Sequence, residues 1–195
     1  MFSLLINASI VGLGLLLATV KGDSPDISGV SIASSSHGGS ACPQGSTDFS
    51  ISVDAKSITI KYTAFELGSA NSGYARKNCQ VNLDIRYPKN LQFAVTDATF
   101  YDEVDIGAGA DARHNAVYYF SGSTAQNNVI HTYVGPLDGD YTYRESIPAG
   151  SQIWSPCGAP LPLNINTGVG MRKATSADTY VNVKTVVTGI QWRNC

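Results

Sequence analysis

QVNLDIRYP (Gln80–Pro88) sets Val81, Leu83, Ile85 and Tyr87 at every second position, with Asn82, Asp84 and Arg86 between them. In an extended chain successive side chains point to opposite faces, so this spacing buries one face and wets the other. A strand with one solvated face belongs to an antiparallel sheet. The same period runs through DFSISVD (Asp48–Asp54), with Phe49, Ile51 and Val53, and through SITIKYTAF (Ser57–Phe65), with Ile58, Ile60 and Tyr62. Shorter or less regular candidates follow at Leu91–Val95, Thr99–Val104, Ala116–Ser121, Val129–Val134, Tyr141–Ile147, Leu163–Met171 and Tyr180–Trp192. LGSANSG, YPKN, DIGAGAD, PLDGD and IPAG separate them and read as turns. No stretch carries a helical stripe with caps, and ADTYVNVKTVVTGIQW is β-branched and aromatic despite its length. Roughly nine to eleven short strands point to an all-β domain, an antiparallel two-sheet β-sandwich, with a closed barrel as the second choice.

The domain occupies residues 42–195 in this reading. Ahead of it, residues 1–22 have the character of a signal peptide: LLINASIVGLGLLLATV (Leu4–Val20) is apolar and meets its first charge at Lys21. Residues 23–41 are rich in Ser and Gly and read as an extended arm with one strand at Ile27–Ala33. The expected mature protein is extracellular, secreted and free of a membrane segment. The chain holds 13 basic residues, one of them Lys21, against 15 acidic ones. That balance excludes nucleic acid, whose binding needs clustered cations against phosphate, and an anionic membrane surface.

Cys42, Cys79, Cys157 and Cys195 are the only cysteines. An even number in an exported chain implies disulfides, and no close pair offers the spacing of a zinc site. The first and last gaps, 37 and 38 residues, are nearly equal. Economy favours Cys42–Cys79 with Cys157–Cys195, while the crossed pairings remain open. Trp154 and Trp192 each stand three residues before a cysteine and are expected to pack over the bridges.

Candidate chemistry is sparse. YDEVDIGAGAD gathers Asp102, Glu103, Asp105 and Asp111 around a glycine bend. Its first reading is a solvated acidic edge. A calcium loop comes second, since hard cations take several oxygen ligands, and an acid/base pair for glycoside cleavage comes third. His114 is expected at the surface. No metal or cofactor is otherwise implied, and no nucleophile elbow or phosphate loop is present. The ten tyrosines exceed what a small core needs. Alternation sends Tyr118 and Tyr119 to opposite faces and puts Tyr141 with Tyr143 on one. Tyr118, Tyr141 and Tyr143 are therefore candidates for an aromatic platform that stacks on sugar rings, with cross-strand packing the competing role.

ACPQGS, RKNCQVNL, YYFSG, SPCG, LNIN and the terminal QWRNC together resemble the secreted domain of unknown function 4360 family, common among fungi. The resemblance runs from Cys42 to Cys195 and departs at Thr99–Asp105, where relatives carry a basic-Gly-aromatic stretch and this chain has TFYDEVD. It implies export and small size, and no activity or catalytic residue. The function expected is non-catalytic binding at a cell wall or host surface, with a wall glycan or a cell-surface protein as partner. The alternative is a polysaccharide hydrolase using the carboxylates of 102–111.

Overall fold

The computed structural model describes residues 25–68, 74–172 and 179–195, so the expected signal peptide lies outside the described residues. Eleven strands are described: β1 (Ser31–Gly38), β2 (Thr47–Ile51), β3 (Ser57–Tyr62), β4 (Glu66–Gly68), β5 (Tyr74–Arg86), β6 (Leu91–Ile106), β7 (Asp111–Phe120), β8 (Asn127–Val134), β9 (Leu137–Ser146), β10 (Leu163–Arg172) and β11 (Thr179–Asn194). They form two open antiparallel sheets, a five-stranded one in the order β1-β5-β10-β7-β8 and a six-stranded one in the order β2-β3-β11-β6-β9, with β4 against β11. Both sheets end in free edges, so the molecule is a sandwich and not a barrel.

The alternation read from QVNLDIRYP fixes the inward phase of β5: Val81, Leu83 and Ile85 are at most 1% exposed. They meet Ile58 and Ile60 of β3, Phe93, Phe100 and Val104 of β6, and Val181, Val183 and Val186 of β11 in one continuous core. Two strands depart from the expected alternation. The candidates at Leu91–Val95 and Thr99–Val104 are one sixteen-residue strand, β6. Thr96 has no partner opposite Gly189/Ile190 of β11, and this bulge reverses the phase, so Phe93, Val95, Ala98 and Phe100 all face inward. PLDGD is not a turn. The chain reverses at Gly135–Pro136, and Asp138 and Asp140 lie on the exposed side of β9, an edge strand where charge blocks pairing with other chains.

The N-terminal segment differs too. Its strand runs over Ser31–Gly38, later than Ile27–Ala33, and β1 pairs with β5 from Ser31↔Arg86 to Gly38↔Gln80. Part of the expected arm is thus an edge of the five-stranded sheet. Cys42–Cys79, with Cα atoms 5.4 Å apart, fastens the following crossover to β5, and Cys157–Cys195, at 5.9 Å, ties the chain end to the β9–β10 connection. Trp192 packs against Tyr87 and Phe93 and donates its indole N–H to Ala55 O at 2.7 Å, while Trp154 lies under the Arg193 guanidinium at 3.7 Å.

Candidate functional site

NINTGVGMR (Asn164–Arg172) forms most of β10, the middle strand of the five-stranded sheet. Ile165, Thr167, Val169 and Met171 point into the core. The outward positions are therefore Asn164, Asn166, Gly168, Gly170 and Arg172. Gly168 is buried beneath the Asn115 side chain, while Gly170 leaves a depression in the sheet face whose walls the neighbours build. Asn78 and Asn115 stand opposite Gly168, Arg76 and Arg113 opposite Gly170, and Asp111 opposite Arg172. The result is a trough of about 440 Å³ lined by Arg76, Asp111, Arg113, Asn115, Thr132 and Arg172. That size lies within the ordinary range for small-molecule sites.

Beyond the trough the same face continues as a row of side-chain amides. Asn164 Oδ1 accepts from Asn82 Nδ2 at 3.1 Å and Gln80 Nε2 at 3.4 Å, and Asn164 Nδ2 donates to Ser121 Oγ at 2.9 Å. Asn164 is 7% exposed, so this network is fixed in place, and Gln80 Nε2 spends its second hydrogen on Val81 O at 3.3 Å. Tyr119, the register partner of Asn164, closes that end of the face.

The tyrosines named from the sequence do not build this face. Tyr118 is corrected outright: at 2% exposure it lies in the core, bonded to Thr188 Oγ1 at 3.0 Å, and burial holds its hydroxyl well above the usual phenol range. Tyr141 and Tyr143 do share a face, with rings 12° from parallel and 6.2 Å apart, but it is the inward face of β9. His131 of β8 stacks on Tyr143 at 3.4 Å, and Tyr133 meets Tyr143 edge-on. These rings fill the seam where the two sheets part.

Nor do the four carboxylates of 102–111 converge. Glu103 and Asp105 point outward on the six-stranded sheet, where Lys184 Nζ holds Glu103 Oε2 at 3.2 Å and Asp140 Oδ1 at 2.6 Å. Asp111 is on the other sheet, in the trough. Asp102 is buried at 1% exposure, and its Oδ2 takes both His114 Nδ1 and the Tyr133 hydroxyl at 2.6 Å. Burial, and then the carboxylate beside it, pushes the Tyr133 hydroxyl far up. His114, expected at the surface, is 0% exposed because it shares the inward phase of Ala112 and Ala116. It stacks on Phe100 at 4.1 Å.

Sequence reasoning missed Arg76, Arg113, Arg172, Gly168 and Gly170. The available signal was TGVG: glycines at alternate positions of a strand interior mark a place where something approaches the backbone closely.

Residues 28–195 match a family described as Domain of unknown function (DUF4360). The chain is 33% identical over 184 residues to an uncharacterized secreted protein of Arthroderma benhamiae, a match that spans 89% of this chain and 75% of that one. It is similar at 8% identity, with a TM-score of 0.33, to the structure of TmCBM61 in complex with beta-1,4-galactotriose, over 85% of this chain and 91% of that one. A likeness of that size carries neither fold nor ligand to this chain.

Proposed function

This chain belongs to the DUF4360 family, and we propose that it is a secreted, non-catalytic protein that holds polysaccharide at a cell wall or host surface on the outer face of its five-stranded sheet. The trough floored by Gly170, with fixed amides running on from it, is the observation that carries this reading. A polysaccharide presents many hydroxyls in a row, and a row of preset donors and acceptors meets them without ordering flexible side chains. The relative described as secreted supports export, as do four cysteines that are all paired. In this reading Tyr141 and Tyr143 close the sandwich seam, and Glu103 and Asp105 form a solvated edge.

The test is retention on insoluble wall polysaccharides combined with analysis of released sugars. The protein is expected to be retained and to release no new reducing ends. Gly170→Leu, which fills the trough from a half-buried, outward strand position, is expected to abolish retention while the fold persists. Sugar release that disappears in a Glu103→Gln, Asp105→Asn variant would establish the hydrolase instead. Retention by cell-surface proteins alone would refute the glycan reading.

A further inference from the structure

We infer that the trough takes the carboxylate of a uronic-acid residue, so that the polysaccharide held on this face is an acidic one; this rests on the reading of the face as a glycan site. Arg76 and Arg113 flank Gly170 from the two neighbouring strands. Adjacent strands are spaced about 4.8 Å apart, which puts the two backbones about 10 Å from each other across a floor without side chains. Arg172 stands one outward position further along β10. All three arginines are exposed. Among the described residues the ion pairs join His114 to Asp102, His131 to Glu145, Arg144 to Asp97, and Lys184 to Glu103 and Asp140, and none engages Arg76, Arg113 or Arg172.

The rest of the surface sharpens the contrast. The outer side of the six-stranded sheet carries Glu66, Glu103, Asp105, Asp138 and Asp140 on adjoining register positions, interspersed with Lys184, Lys61 and Arg144. A chain of formal net charge −2 thus collects three guanidiniums against one carboxylate, Asp111, in a single depression. The cations are arginines throughout. A guanidinium offers a planar fork that pairs with a carboxylate through two parallel hydrogen bonds, where an ammonium offers only a point charge.

The surroundings suit a sugar acid better than a bare anion. Asp111 and Asn115 supply acceptors for hydroxyls inside the trough. Ile130 and Val134 of β8, 37% and 65% exposed, stand on the register rows of Asn115 and Asp111 and offer apolar contact to the C–H face of a ring. The amides of Gln80, Asn82 and Asn166 continue the face for the next residues of the chain. A densely charged polyanion is less well served, because one short cation cluster on an acidic protein neutralises few of its charges.

Calorimetric titration of the mature protein with an oligogalacturonate, its fully methyl-esterified form and a neutral β-glucan oligomer tests the assignment. The acid is expected to bind with an affinity that falls as salt rises. The ester should bind at least about tenfold more weakly, and Arg76→Gln and Arg113→Gln should each lose about as much for the acid, as a charge-assisted hydrogen bond is worth. Both arginines are exposed, so an unchanged thermal midpoint verifies that the variants fold. Equal binding of acid and ester, or variants that bind like wild type, would overturn the carboxylate site and leave the glycan face standing. Tighter binding of a sulfated glycan or inorganic polyphosphate would also overturn it. No binding of any glycan would remove both readings.

Discussion

Asp102 sits among carboxylates that face water, yet the phase of β6 turns it inward, against His114 and Tyr133 from the opposite sheet. The two sheets are therefore joined by a polar contact inside an apolar core. Asp102→Ala leaves the His114 Nδ1 and the Tyr133 hydroxyl buried without a partner, at about 1–3 kcal/mol each. Denaturant unfolding is expected to show a loss of about 3 kcal/mol, with glycan retention unchanged at a temperature where the variant is folded. The buried tyrosines give a second residue-level prediction. Tyr62, Tyr118 and Tyr133 all keep their protons above the usual phenol range, chiefly through burial. The unfolded chain releases those protons near pH 10, so it binds fewer than the native state above that point, and stability falls as pH rises. The slope is about 1.4 kcal/mol per pH unit for each tyrosine. A share of the phenolate absorbance, that of the three buried rings, should then appear only together with the loss of the folded circular dichroism, and ionisation of all ten tyrosines in a folded protein would contradict it. The opposite phases of Tyr118 and Tyr119 were legible from alternation. His114 was open to the same reading through Ala112 and Ala116, but its polarity argued for the surface, and only the partner carboxylate from another strand explains why it is inside.

Strand existence was legible wherever one face is apolar and the other polar, as in β3 and β5. Continuity was not legible where a bulge reverses the phase, as at Thr96 in β6, nor were the bounds of the largely polar edge strand β1, and the start of β9 read as a turn. Pairing order, and with it the meeting of Arg76, Arg113 and Arg172 around Gly170, lies beyond any local pattern, because the three come from β5, β7 and β10, far apart in the chain. The favoured cysteine pairing is the one present. The bridges differ in setting: Cys42 and Cys79 are buried, whereas Cys157 and Cys195 are exposed. Removing Cys42–Cys79 is expected to cost about 4 kcal/mol, as the chain-entropy model gives for a loop of this length. Under a mild reductant Cys157 and Cys195 should be alkylated first, since thiol exchange needs access to the sulfur. Peptide mapping showing Cys42 and Cys79 labelled earlier would contradict the placement of the bridges.

The trough of one sheet gathers three arginines with Asp111, the outside of the other mixes carboxylates with Lys61, Arg144 and Lys184, and a core shared by β3, β5, β6, β7, β10 and β11 joins the two sheets. The acidic stretch is divided by the same architecture, with Asp102 inside, Asp111 on the five-stranded sheet, and Glu103 and Asp105 on the six-stranded one. Calcium is accordingly expected to leave the thermal midpoint where a chelator leaves it, since a ligand that binds only the native state would raise it. Composition and alternation revealed the β-rich class and the cysteines revealed the staples, but which face meets a partner depends on three-dimensional neighbours. The most direct measurement is backbone NMR of the labelled protein titrated with soluble wall oligosaccharides. The account predicts shifts at the outward residues of β5, β7 and β10, centred on Arg76, Gly170 and Arg113, with Tyr141, Tyr143 and the outer side of the six-stranded sheet unmoved. Shifts centred on the β8–β9 seam or on Glu103 and Asp140, or no shifts at saturating oligosaccharide, would contradict it.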